Sequence, residues 1–151
     1  DALALMEARF KTAGADVSYD RRDTPVWVIG GQLRLQQVII NLLNNALDAM
    51  ENQPEPSLEI AVDTENANHV LIHVRDRGDG LEEQALAQLF DPFFTTKSPG
   101  KGLGLGLSIS YNIVEDFGGR LRARNREDGG AEFSIELRAA EAPVTSSMAA
   151  E

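Results

Sequence analysis

Apolar residues recur along this chain at two different spacings, and the switches between them mark its elements. Leu3, Leu5, Met6 and Phe10, ahead of Gly14, follow a helical repeat and predict a short opening helix. Ala15 to Tyr19 and Val26 to Ile29 read as strands around a polar turn with Pro25, so a hairpin is expected there. After Gly30 and Gly31, residues Leu35, Val38, Ile39, Leu42, Leu43, Ala46 and Leu47 line one face of a long helix reaching about Met50, with Pro54 and Pro56 as its stop. Leu58 to Asp63 and Val70 to Val74 alternate as antiparallel strands across a polar turn. Leu81 to Phe90 reads as a short helix opened by Glu82 and Glu83, whose charges suit a helix start. A Gly-, Thr- and Pro-rich loop from Asp91 to about Gly102 leads into a helix ending at Phe117 and Gly118. Two final strands, Arg120 to Arg126 and Ala131 to Leu137, flank the tight-turn signal Asp128-Gly129-Gly130.

Strands and helices mix without regular βαβ alternation, which predicts an α+β fold: a two-layer sandwich with helices on one face of a mixed sheet. One domain is expected over residues 1–139, followed by a floppy tail over 140–151.

Composition narrows the possible partners. Across 151 residues, 42% are hydrophobic, enough for a real core. Acidic side chains number 24 against 14 basic, a net charge of −10. A polyanionic surface argues against nucleic acid and against direct contact with anionic membrane lipid, because such binders gain from counterion release. No apolar run is long enough for a spanning helix. Cysteine is absent, which excludes disulfides, thiolate zinc sites and cysteine nucleophiles. The chain starts at Asp1 in mid-helical pattern and without a signal peptide, so a fragment of something longer is expected.

Four segments carry candidate chemistry. In the long helix, Asn41, Asn45 and Asp48 share a face by their spacing, beside Asn44. Asn is a poorer helix former than Glu, Lys or Arg, so its clustering suggests amide oxygens wanted for a purpose, such as ligating Mg²⁺ with phosphate oxygens; a solvated face is the plainer alternative. Asp76-Arg77-Gly78-Asp79-Gly80 follows a strand, where a carboxylate can accept from an exocyclic amine such as that of adenine, or where the segment is simply a turn. Phe90-Asp91-Pro92-Phe93-Phe94-Thr95-Thr96-Lys97 crowds three aromatics into a loop, two expected to anchor it and one to form a docking surface. Gly100 to Leu107 alternates glycine with apolar residues into a helix start, whose bare N–H groups suit phosphates. It matches neither the Walker A nor the dinucleotide Gly-x-Gly-x-x-Gly pattern.

In this order and spacing the four segments resemble the catalytic and ATP-binding domain of sensor histidine kinases, within the GHKL ATPase superfamily. The resemblance covers about residues 24 to 138: Asn41 to Asn45 match the N box, Asp76-x-Gly78-x-Gly80 the G1 box, Phe90 to Phe94 the F box and Gly102 to Leu107 the G2 box, with Gly129 and Gly130 like the last glycine motif. The segment FFTTK and the run GLGLGLSISYNIVEDFGG look most like the nitrogen-regulatory and C4-dicarboxylate sensor kinases.

The resemblance implies that Asp76 holds the adenine amino group, that Asn45 and Asn41 approach Mg²⁺ and the phosphates, that Gly102, Gly104 and Gly106 line the phosphate end, and that Lys97 senses the γ-phosphate. Asp48, Gly78, Gly80, Thr95, Thr96, Lys101, Leu103 and Leu105 complete the implied ATP-binding set. Asn41, Asn45 and Lys97 are the implied catalytic residues. Two departures stand out. Gly31 replaces the Asp that commonly follows Gly30, and Asp48 occupies a place where some relatives carry a basic residue, which raises the burden on Lys97.

The implied activity is transfer of the ATP γ-phosphate to a histidine on a dimerisation domain outside this chain, and onward to a response regulator. His69 and His73 lie on an expected strand and not in the helical setting that the family phosphorylates, so both read as structural. Phe93 or Phe94 is expected to touch the absent helices. By similarity the domain is cytoplasmic in an inner-membrane sensor. Two alternatives remain: a GHKL ATPase coupling hydrolysis to clamp closure, disfavoured because Asn41 stands where such ATPases use Glu, and a degenerate nucleotide-binding module.

Overall fold

A computed structural model describes residues 1–20, 24–64, 66–94 and 106–142. The first helix, α1 (Ala2–Ala13), does not run through Asp1 as its pattern suggested; it is capped at both ends. The Asp1 carboxylate accepts from the Leu3 and Ala4 amides, and Gly14 closes the helix in the left-handed conformation at φ 67°. The strand β1 (Asp16–Tyr19) follows.

No hairpin forms between β1 and the segment 26–29. Instead β1 pairs in parallel with β2 (Ser57–Asp63), with Asp16 opposite Ser57 and Tyr19 opposite Ile60. Parallel neighbours need a crossover, and α2 (Gln32–Ala49) provides it. Segment 26–29 contributes only an isolated bridge, Val28 with Ala139. Local turn chemistry suggested a hairpin; the need of α2 to bury its apolar face across the sheet prevailed. The helix also stops at Ala49, ahead of Pro54.

The remaining strands follow the expected antiparallel pattern: β2 with β3 (His69–Arg75), β3 with β5 (Ala131–Arg138), and β5 with β4 (Arg120–Asn125), giving the sheet order β1-β2-β3-β5-β4. Among the described residues, two helices lie between the third and fourth strands, α3 (Glu83–Gln88) and α4 (Gly106–Asp116). The fold is thus the α+β two-layer sandwich with a mixed sheet that the pattern predicted.

Alternation along the strands separates the two faces of the sheet. Leu58, Ile60, Val74, Leu121, Phe133, Ile135 and Leu137 form one buried cluster with Met6 of α1, Val38, Leu42, Leu43 and Leu47 of α2, and Ile113 and Val114 of α4. The opposite face is polar. There Glu132, only 4% exposed, accepts from Arg75 and Arg124, while Arg75 also donates to Glu59. Burial alone would raise the Glu132 pKa, but the hydrogen bonds from Arg75 and Arg124 outweigh it and hold the carboxyl below its ordinary value. His73 faces Ser134 at 2.8 Å on this same polar face, with Glu132 at 3.8 Å.

Candidate functional site

The strand β3 ends at Arg75, and the next residue, Asp76, is 2% exposed. Its position follows from the sheet: the Asp76 amide donates to the Ala131 carbonyl at 3.0 Å, which continues the β3–β5 ladder by one residue. The carboxylate then turns inward. Its Oδ1 accepts from the Gly78 amide at 2.9 Å and from the Ala131 amide at 3.1 Å. Both bonds fall on Oδ1, which leaves Oδ2 as the remaining acceptor. Burial pushes the Asp76 pKa up, against the lowering pull of the Gly78 and Ala131 amides and of Arg126. A desolvated carboxylate fixed by two backbone donors is a pre-set acceptor for one further N–H group.

Three neighbours hold this loop in place, and sequence reasoning singled out none of them. Arg126 donates to the Asp76 carbonyl at 2.9 Å. Asn125 accepts from the Leu81 amide and donates to the Leu81 carbonyl, both at 2.7 Å. The Met50 sulfur lies 3.3 Å from the Arg77 amide. For Asn125 and Arg126 the only sequence signal is proximity to the Asp128-Gly129-Gly130 turn, which folds back onto β3 only in the assembled sheet, and Met50 stands out only as the end of the long helix.

The glycines of this loop serve the protein's own packing. A Cβ at Gly78 would lie 2.6 Å from the Ala49 carbonyl oxygen at the end of α2, and Gly80 adopts φ 77° beside Asn125. The Asp76 loop is therefore seated against the C-terminal end of α2. That end is about 12 Å along the helix axis from Asn41, at roughly 1.5 Å per residue.

At the other end of the same helix face, Asn41 meets α4. Its Nδ2 donates to the Ser110 hydroxyl at 3.0 Å, and its Oδ1 would lie 2.6 Å from a Cβ on Gly106, the first residue of α4. A side chain on Gly106 would displace the Asn41 amide, whose oxygen lies against the start of α4. A groove of about 450 Å³ runs between the two helices, with Asn41, Asn44 and Gly106 along it and the exposed side chains of Leu33 and Ile109 at its margin. It does not reach Asp76. Asn45 and Asp48 continue the helix face between the two ends and are half-buried. Asp48 is ion-paired with Arg9 of α1 at 2.7 Å, and Asn44 accepts from the same guanidinium.

Two of the three aromatics anchor the segment, as expected. Phe90 stacks on Tyr111 of α4 with centroids 5.2 Å apart, and Phe94 packs on the core. Phe93 is 71% exposed at φ 66°, a backbone conformation that non-glycine residues rarely adopt. Thr95, Thr96, Lys97, Lys101, Gly102, Leu103, Gly104 and Leu105 lie outside the described residues, as does the tail beyond residue 142. Among the described residues no cluster of His, Cys, Asp and Glu could hold a metal ion by itself. Amide oxygens that share a cation with phosphate groups do not need one. The residues present fit a nucleotide: a buried carboxylate acceptor at Asp76, a groove along Asn41, Asn44 and Gly106, and the amide of Asn45 between them.

This sheet, with its helix-borne asparagines and buried strand-end carboxylate, defines a known class. The chain belongs to the histidine kinase-, DNA gyrase B-, and HSP90-like ATPase family, whose model matches residues 30–141, and within it to the catalytic domains of sensor histidine kinases. Its relatives include the C4-dicarboxylate transport sensor protein DctB of Pseudomonas aeruginosa, 40% identical over 137 residues that cover 91% of this chain and 22% of that protein. DctB of Rhizobium meliloti is 34% identical over 139 residues, covering 92% and 22%. The catalytic domain of histidine kinase ThkA superposes with a TM-score of 0.78 at 31% identity, over 91% of this chain and 88% of that one. The chain spans about a fifth of the length of these curated relatives. The likeness of its loop and helix to C4-dicarboxylate sensor kinases is met by both DctB proteins.

Proposed function

We propose that this chain binds ATP with Mg²⁺ and transfers the γ-phosphoryl group to a histidine on a dimerisation domain elsewhere in the same polypeptide, from which a response regulator is phosphorylated in turn. The observation that carries this reading is the Asp76 carboxylate, desolvated and pinned through Oδ1. Its free oxygen is set to take a hydrogen bond from the adenine amino group. Asn45 and Asn41 are the residues that would hold the cation and phosphates, with Gly78, Gly80 and Gly106 bounding the rest. Mg²⁺, when bound there, would supply charge neutralisation for the phosphates. The protein's own task is positioning: Asp76 fixes the base, and the Ser110-oriented amide of Asn41 fixes the distance to α4.

The acceptor histidine is not one of the two in the sequence. His73 lies on the polar sheet face against Ser134, and His69 begins β3. The exposed Phe93 is the contact proposed for the helices that bear the acceptor. Among solved relatives ThkA is known in complex with a response regulator, TrrA. No helix among the described residues is long and apolar enough to cross a membrane. We assign the chain as a cytoplasmic domain of an inner-membrane sensor, with residues 1–139 as its folded unit.

The test is to supply γ-labelled ATP and the separately produced histidine-bearing domain of the parent protein. Acid-labile label on that domain supports the proposal. Label released only as inorganic phosphate would mean a hydrolase, and bound nucleotide with neither outcome would mean a regulatory module.

A further inference from the structure

Asp48 sits on the face of α2 that also carries Asn41 and Asn45. A carboxylate there would repel a polyphosphate, and the structure places a cation on it. Arg9 reaches across from α1, donating through one terminal nitrogen to Asp48 Oδ1 at 2.7 Å and through the other to Asn44 Oδ1. A guanidinium has five N–H donors, so these two bonds leave three. The Arg9 side chain remains 44% exposed and is not buried by the helix packing. Asn44, its second anchor, also lines the groove with Asn41 and Gly106, next to the start of α4.

Resting on the nucleotide reading above, we propose that Arg9 is a phosphate-binding residue of this site, a cation supplied from α1 and aimed by Asp48 and Asn44. Asp48 then serves as a bracket for Arg9, and the pair together presents positive charge where Asp48 alone would present negative. Arg9 lies outside the residues 30–141 that match the family model. Its planar fork suits this double anchoring in a way that lysine's point charge does not.

The experiment is calorimetric titration with ADP and with a non-hydrolysable ATP analogue, both with Mg²⁺, beside thermal unfolding. It compares wild type, Arg9→Ala, Arg9→Lys and the double variant Arg9→Ala/Asp48→Lys. Loss of a charge-assisted contact predicts about a tenfold weakening of the ATP analogue by Arg9→Ala, with a smaller effect on ADP. Arg9→Lys should recover part of the loss. The double variant abolishes the ion pair but puts a cation directly on α2, and it should restore the ratio of ATP-analogue to ADP affinity. If Arg9 merely ties α1 to α2, Arg9→Ala will lower the unfolding temperature and leave that ratio unchanged, which overturns the inference. Wild type that binds neither nucleotide would overturn the underlying reading as well.

Discussion

Gly130 lies against the backbone of Asp76 so closely that a Cβ on Gly130 would collide with the Asp76 carbonyl oxygen. The tight turn after β4 is thus part of the mould that shapes the buried carboxylate. Gly129 is the internal control. It also has a positive φ, 103° against 87° for Gly130, but a Cβ there would meet nothing within 4 Å. Gly129→Ala should cost about 1–2 kcal/mol from backbone strain alone. Gly130→Ala should cost clearly more and should disturb nucleotide binding too. Chemical denaturation of both variants checks this; equal losses would contradict the contact.

The second prediction concerns acid. Because its folded pKa is lowered, Glu132 contributes stability that is fully present above its unfolded pKa of about 4.3 and is lost as pH falls through the folded value. Glu132→Gln should cost about 1–3 kcal/mol near neutrality, below the range for a fully buried pair because Arg124 is largely exposed and Arg75 keeps Glu59. The variant should also show a flatter decline of stability below about pH 4.5. Unfolding free energies measured across that window test the sign.

Gly31 is the N-cap of α2 and offers no side chain to its free amides. A Cβ there would meet Phe117 only at ordinary contact distance, 3.8 Å. Gly31→Asp should therefore stabilise the fold by a few tenths of a kcal/mol, roughly, through capping and the helix dipole. A shift in the denaturation midpoint without a change in slope would show it.

Phe93 contributes little to the core, so Phe93→Ala should change stability by less than about 0.5 kcal/mol. Nucleotide affinity should be intact while transfer to the supplied histidine domain falls at least about tenfold, on the scale of a hot-spot aromatic. Loss of nucleotide affinity instead would place Phe93 in the binding site and not on the docking surface.

What could be learned from the sequence depended on how local the cause was. The helix α2 and the β2–β3 and β4–β5 pairs follow from periodicity and from turns confined to a few residues. The parallel seat of β1 does not, because pairing between Asp16 and Ser57 is decided by the packing of the helix between them. Asp76 was legible as an acidic residue at a strand end. Its clamping by Ala131 and Arg126 was not, since those partners are 50 or more residues away in the chain. The same holds for Arg9, 39 residues before Asp48. The glycines illustrate a subtler limit: sequence reads Gly78 as part of a turn or binding loop, and only the fold shows that it is pressed against the Ala49 backbone.

The central claim is that the buried Asp76 carboxylate reads adenine, and calorimetric titration of ADP into wild type and Asp76→Asn tests it most directly. The variant keeps an Oδ1 acceptor for Gly78 and Ala131 but turns a donor toward the adenine amino group. Removing a desolvated charge whose pKa burial has raised should leave the unliganded fold as stable or slightly more so at neutral pH. In wild type, affinity should weaken as acid protonates Asp76. The account predicts measurable ADP binding by wild type and a loss of at least about 10- to 100-fold in the variant, the scale of a hydrogen bond to a charged group. Equal affinities in the two proteins would contradict it.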